Sequence, residues 1–283
     1  MCDNTAMEIL PGFAPLAARY DGFIIDLWGV IHDGVTPYDG AVDCLTRLRD
    51  AGKRVVMLSN APRRAASAAE QMRGMGIPDG LHNAIVTSGE ATHLMLRDRA
   101  DPWFAALGPR VFHLGPRRDR NLLTGLDLDL ADPATADFML NTGPDDTRDP
   151  TDIAPFEADL QACAARHLPM ICANPDLEVI RGGQRIICAG ALAVRYTELG
   201  GDVKSLGKPD PLIYQPILDL LAVPKTRILA VGDSLRTDIA GAAAVGIDSC
   251  WVLGGIHGED ADPAATAAAV GLAPVAALSR FVW

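Results

Sequence analysis

"GFIIDLWGVIHDG", residues 22–34, is the stretch on which the reading of the fold turns. A short apolar run of strand length ends on Asp26, and Trp28 stands two residues later. Ligands of open parallel sheets bind just beyond the carboxyl ends of the strands, so a carboxylate delivered there is well placed for chemistry. A bulky indole beside it has no obvious chemical use.

Working outward, strand-like and helical runs alternate. "GAVDCLTRLRDAG" has apolar positions at 42, 45 and 48, which predict a helix stopped by Gly52. "RVVMLSN" reads as a strand, "RRAASAAEQMRGMG" as a helix closing at Gly74 or Gly76, and "NAIVTSG" as the next strand. The pattern returns near the C-terminus with "RILAVGD" as a strand, "LRTDIAGAAAVG" as a helix and "DSCWVLGG" as a strand. Short buried strands interleaved with helices predict an α/β fold on a parallel sheet with right-handed crossovers.

Between these halves the texture changes. Residues 89–188 carry several prolines and the acidic stretch "NTGPDDTRDPTDIAPFE", together with strand signals of their own in "RVFHLG", "ADFMLN" and "PMICAN". A segment of that size with its own elements predicts an inserted, smaller α/β domain, leaving 1–88 and 189–283 as the core. There is no fixed-period repeat.

The bulk numbers set the function class. With 283 residues, 49% of them apolar, the chain can bury a full core. A formal charge of -11 argues against nucleic acid, because neutralising phosphates needs clustered Lys and Arg. No segment approaches the roughly 18 uncharged apolar residues of a membrane span, and "MCDNTAMEILPG" is no leader, so a cytoplasmic protein is expected. Cys2, Cys44, Cys163, Cys172, Cys188 and Cys250 form no CxxC pair and fit reduced core thiols.

The strand ends supply Asp26, then Ser59 and Asn60, then Asp233, with Asp238 one turn into the following helix; "GKPDP" adds Lys208. Singly, each has a plain structural explanation: Asp233 and Ser234 fit a helix cap, Ser59 and Asn60 a turn, and Pro209 a first-turn proline beside a solvated lysine. Together they have one chemical sense. Converging carboxylates repel unless a cation sits among them, and all-oxygen coordination is what magnesium prefers. A carboxylate with a free oxygen can attack phosphorus, while Lys208 and the Ser59 hydroxyl stabilise the charge on the transferring group.

The ordered set of Asp26 in "IIDLWGV", Ser59 in "LSN", Lys208 in "GKP" and Asp233 with Asp238 in "GDSLRTD" resembles the four motifs of the haloacid dehalogenase superfamily. The size and place of the insert, with "CANPD" and "GALAVRYTELGG", resemble the capped class IIA phosphatases. The resemblance implies a Rossmann-like core with an α/β cap and a magnesium-dependent hydrolase of small phosphorylated metabolites. Asp26 is then nucleophile and metal ligand, Ser59 and Asn60 hold the phosphoryl group, Lys208 neutralises it, and Asp233 and Asp238 serve the metal. Substrate choice falls to the cap, with Asn174, Asp176 and Gly190 nearest by resemblance and an Asn- and Asp-capped turn as the plain alternative. Caps of this class also take part in dimers, so a homodimer is open.

The departure is at Trp28. The usual pattern has there a second aspartate that protonates the leaving oxygen. Family members use that residue's backbone carbonyl for magnesium, which is indifferent to the side chain, so Trp28 keeps a place among the metal ligands while the proton donor is lost. The chain also resembles a branch of class IIA carrying "DLWGV…HDG". His32, with Asp33 beside it, is the nearby group that titrates in the right range, although a loop role suits it equally; His113, His167 and His257 have no ligand spacing. Two other readings stay open: a phosphometabolite-binding or regulatory protein with little turnover, and carbon–halogen cleavage, which needs no metal and so leaves Asp233 and Asp238 unexplained.

Overall fold

The computed structural model describes residues 7–181, 183–254 and 262–283; Cys2, Gly182 and His257 lie outside the described residues. In chain order the strands are β1 (Glu8–Leu10), β2 (Gly22–Ile25), β3 (Arg54–Ser59), β4 (Ala84–Thr87), β5 (Arg110–Leu114), β6 (Asp129–Leu130) and β7 (Phe138–Asn141). They continue with β8 (Met170–Cys172), β9 (Glu178–Arg181), β10 (Gln184–Ile187), β11 (Val203–Ser205), β12 (Ile228–Gly232), β13 (Asp248–Val252) and β14 (Ala276–Leu278). They divide between two compact units, one of residues 1–59, 69–86 and 208–283, the other of residues 60–68 and 87–207.

The first unit is built on a seven-stranded sheet in the order β1-β14-β13-β12-β2-β3-β4. Its pairings from β1 to β3 are parallel. β2 is buried at all four positions and lies between β12 and β3, which is why its sequence is an unbroken apolar run rather than an alternating one. The helix Ala41–Asp50 turns Ala41, Cys44, Leu45 and Leu48 inward; Val42, predicted for that face, lies at its margin, half-buried against the same core. Phe13 anchors this side of the sheet, its ring centroid 5.3 Å from Phe23 and 4.9 Å from Phe281.

The second unit has its own five-stranded parallel sheet, β11-β8-β7-β5-β6, and a separate antiparallel hairpin of β9 and β10. The predicted strands at "RVFHLG", "ADFMLN" and "PMICAN" are three of the five. The boundaries differ from those expected. Residues 189–207 belong here because β11 pairs with β8 and the helix Ala189–Glu198 buries Ala189, Leu192, Ala193 and Tyr196 in this unit's core. Tyr196 also donates to the carbonyl of Leu168 at 2.6 Å.

Cys44, Cys163, Cys172, Cys188 and Cys250 are all buried and none of them is in a disulfide, as core thiols should be. Among the described residues, no helix is long and apolar enough to cross a membrane.

Phe23 is fully buried between β12 and β3 and packed on Phe13. Phe23→Ala should therefore destabilise the first unit by about 3–5 kcal/mol, the usual cost of emptying a buried phenylalanine site, measured as a lowered urea midpoint at unchanged slope.

Candidate functional site

Adjacent strands of the seven-stranded sheet end on the residues that matter. β2 runs into Asp26, whose amide donates to the carbonyl of Val231 on β12 at 2.9 Å, so the ladder itself fixes where this residue leaves the sheet. β12 runs into Asp233, and β3 ends on Ser59. Asp26, Ser59, Lys208, Asp233 and Asp238 are all buried.

Asp238 arrives differently. It sits in a π-helical turn, Leu235–Ile239, capped by the Ser234 hydroxyl, which accepts from the Thr237 amide at 3.3 Å. Wide turns of this kind recur at functional sites because they re-aim one side chain without breaking the helix. Here Asp238 folds back so that its Oδ2 accepts from the Ser234 amide at 3.2 Å and its carboxyl lies where a Cβ at residue 232 would stand. Gly232 is therefore required by space alone.

Oxygens of Asp26, Asp233 and Asp238 lie within 4.8 Å of one another. Lys208 Nζ is 2.7 Å from Asp26 Oδ1 and 2.7 Å from Asp238 Oδ1, and donates to the carbonyl of Leu58, next to Ser59, at 3.2 Å. Three carboxylates against one ammonium leave a formal charge of −2 in a buried place. The Trp251 indole donates to the Asp233 carbonyl at 2.9 Å and pins that strand end from below. Behind the cluster Tyr214 is buried, and burial, reinforced by the charge of Asp238, keeps its phenol protonated well above the ordinary range.

Trp28 is half-buried, and its side chain is directed onto its own loop, against Gly34 and His32. His32 is buried and its Nδ1 accepts the Gly34 amide at 3.0 Å, so in the neutral ring the proton is on Nε2. Asp33 Oδ1 accepts from the amides of Val35 and Thr36 at 2.8 and 2.7 Å, bonds that hold its carboxyl below the usual range and make it a turn-former.

The remaining predicted residues belong to the second unit, where they form one network. Asn60 Nδ2 donates to Asp176 Oδ1 at 2.9 Å, the Asp176 amide donates to Asn174 Oδ1 at 3.0 Å, and the Gly190 amide donates to the Asp176 carbonyl at 3.1 Å. A Cβ at Gly190 would run into the carbonyls of Pro175 and Asp176. Gly207 and Ser88 share this neighbourhood: a Cβ at 207 would meet Asn60 Oδ1 and the Ser88 hydroxyl, which itself donates to Leu206. Neither was singled out from the sequence, although Ser88 stands at the end of the strand predicted in "NAIVTSG". His167 is exposed with φ 52° and closes a helix.

Two family models match the chain, one described as haloacid dehalogenase-like hydrolase over residues 23–129 and one as HAD-hydrolase-like over residues 205–275. The structure is similar to a hydrolase of the haloacid dehalogenase-like family from Brucella suis 1330, with a TM-score of 0.83 and 35% identity over 97% of this chain and 100% of the other. It also resembles a p-nitrophenyl phosphatase from Archaeoglobus fulgidus, with a TM-score of 0.71 and 25% identity over 93% and 97% of the two chains. In sequence, an acid sugar phosphatase of Staphylococcus haemolyticus is 26% identical over 240 residues, 84% of this chain and 87% of the relative.

His113, expected to be structural, gives a test independent of any chemistry. Its Nε2 is 2.9 Å from the Thr142 hydroxyl, and burial, assisted by Arg120, pushes its pKa down from 6.5 to about 4. Protonation is thus easier in the unfolded chain, so the stabilisation is complete above pH 6.5 and lost as pH falls towards 4. Urea titrations should show a loss of about 3 kcal/mol over that window which His113→Asn removes.

Proposed function

The chain belongs to the haloacid dehalogenase-like hydrolase family, and from that premise we propose that it hydrolyses small phosphate monoesters, with Asp26 as nucleophile and a magnesium ion among Asp26, Asp233 and Asp238. The observation that carries this reading is the buried cluster of three carboxylates around a single ammonium. The relatives named as phosphatases of sugar or p-nitrophenyl esters support the substrate class.

The residues present fit the ion. Their donor atoms are all oxygens, and the charge excess in a dry setting is stabilised by a small hard dication. Asp26, Asp233 and Asp238, with the Trp28 backbone carbonyl, would hold it. Bound magnesium supplies positive charge that spreads the negative charge of the transferring phosphoryl group.

The chain's own groups do the rest. An Asp26 oxygen bonds to phosphorus as the bond from phosphorus to the ester oxygen breaks, and the electron pair stays on the leaving oxygen. Lys208 offsets the charge on the phosphoryl oxygens, and the Ser59 hydroxyl and Asn60 amide donate to them. Water then attacks the phosphorus of the aspartyl-phosphate, which frees phosphate and restores the carboxylate. Substrate selection is assigned to the second unit, through the network of Asn174, Asp176 and Gly190. This unit is the cap of the reading.

The Trp28 indole N–H is far too weak an acid to protonate a leaving oxygen, so in this reading the proton comes from solvent. General acid catalysis is worth roughly 10²–10⁴-fold, and alkoxides need it far more than phenolates do. At saturating magnesium, p-nitrophenyl phosphate should outpace an alkyl sugar phosphate, and Trp28→Asp should raise the alkyl-to-aryl rate ratio by about 10-fold or more. Equal rates for both esters in the parent would overturn the assignment. Calorimetry should show magnesium binding abolished in Asp233→Asn, and undiminished binding by that variant would sink the proposed metal site.

A further inference from the structure

What the indole does instead is legible in its contacts. The six-membered ring of Trp28 lies against Gly34, whose φ is +88° and where an added Cβ would overlap ring carbons. His32 closes the indole edge-on, with ring centroids 5.8 Å apart and planes at 77°. Gln71, from the helix Ala65–Gly74, donates to the Gly34 carbonyl at 3.1 Å and holds the far side of the clasp.

The loop inside the clasp is hydrogen-bonded to itself. The amides of Ile31 and His32 donate to the Leu27 carbonyl at 2.9 and 3.1 Å, and the Gly29 amide returns to the His32 carbonyl at 3.1 Å. The next residue after the indole, Gly29 with φ +82°, is pressed against the Asp233 carboxylate so closely that no Cβ could stand between them. Covalently, Asp26 is three residues before Gly29, and its Oδ1 accepts the Leu27 amide at 2.8 Å. One continuous set of contacts therefore runs from Gln71 through Gly34, Trp28 and Gly29 to Asp233.

We propose that Trp28 is a positioning residue for the acidic cluster: its indole, seated on Gly34 and edged by His32, holds the Asp26–Gly29 segment against Asp233. The side chain that stands where the family resemblance expects an acid thus sets the spacing of two of the three carboxylates. The idea rests on the metal reading for its consequence and on the protein's own contacts for its cause, and the two are separable by experiment.

The full-length chain is compared with Trp28→Ala, Trp28→Phe and Gly34→Ala. In metal-free protein, hydrogen exchange at the amides of Gly29, Ile31 and His32 should quicken by about 10-fold or more in Trp28→Ala, with strand amides of β2 and β12 unchanged. Magnesium titration by calorimetry should show roughly 10–100-fold weaker binding in Trp28→Ala and in Gly34→Ala, the scale typical of groups that orient metal ligands. Trp28→Phe, which keeps an aromatic ring on the same Cβ, should recover part of that loss, a rescue that a generally loosened fold would not give. Unchanged exchange in Trp28→Ala overturns the clasp. Faster exchange with parental magnesium affinity overturns the positioning role, and a parent that binds no magnesium overturns the metal reading and the positioning role with it.

Discussion

The ammonium of Lys208, set 2.7 Å from both Asp26 and Asp238, is the contact on which the rest of the first unit's arrangement depends. Three ionised carboxylates cannot be gathered in a dry place without counter-charge, because the desolvation of each is expensive and their mutual repulsion is weakly screened there. One lysine answers part of that charge. The remainder is a net negative charge, which in the proposed reading a bound dication would offset.

Holding such a cluster demands rigid supports, and the structure supplies them from the backbone. The sheet ladder fixes Asp26 beside Val231, the Trp251 indole ties the carbonyl of Asp233, and the π-helical turn folds Asp238 back over Gly232. Each of these supports fixes where one residue of the acidic cluster can lie. Groups of this kind account for much of the precision of metal and phosphoryl sites.

The second unit obeys a similar economy with different chemistry. Asn60, Asn174, Asp176 and Gly190 are linked through amide and carboxylate bonds, so the loop after β8 is tied down by its own polar groups. That network also shows why the chain segment 60–68 is counted with the second unit: its first residue is bonded into it.

Much of this was readable in the sequence. Apolar runs ending on Asp26, Ser59 and Asp233 gave away the parallel sheet and the edge where these residues gather, because a strand buried on both faces has no polar alternative and a strand end is a fixed address. The spacing of Asp238 was readable for the same reason, one turn into a helix. What the sequence could not decide was where the side chains between those addresses go. The orientation of Trp28 onto Gly34, the approach of Gly29 to Asp233 and the capture of residues 189–207 by the second sheet all depend on contacts between segments far apart in the chain or on a loop whose conformation no periodicity encodes. Local pattern determined which residues stand at the edge of the sheet; only tertiary packing decided that the indole would lie on Gly34 and His32.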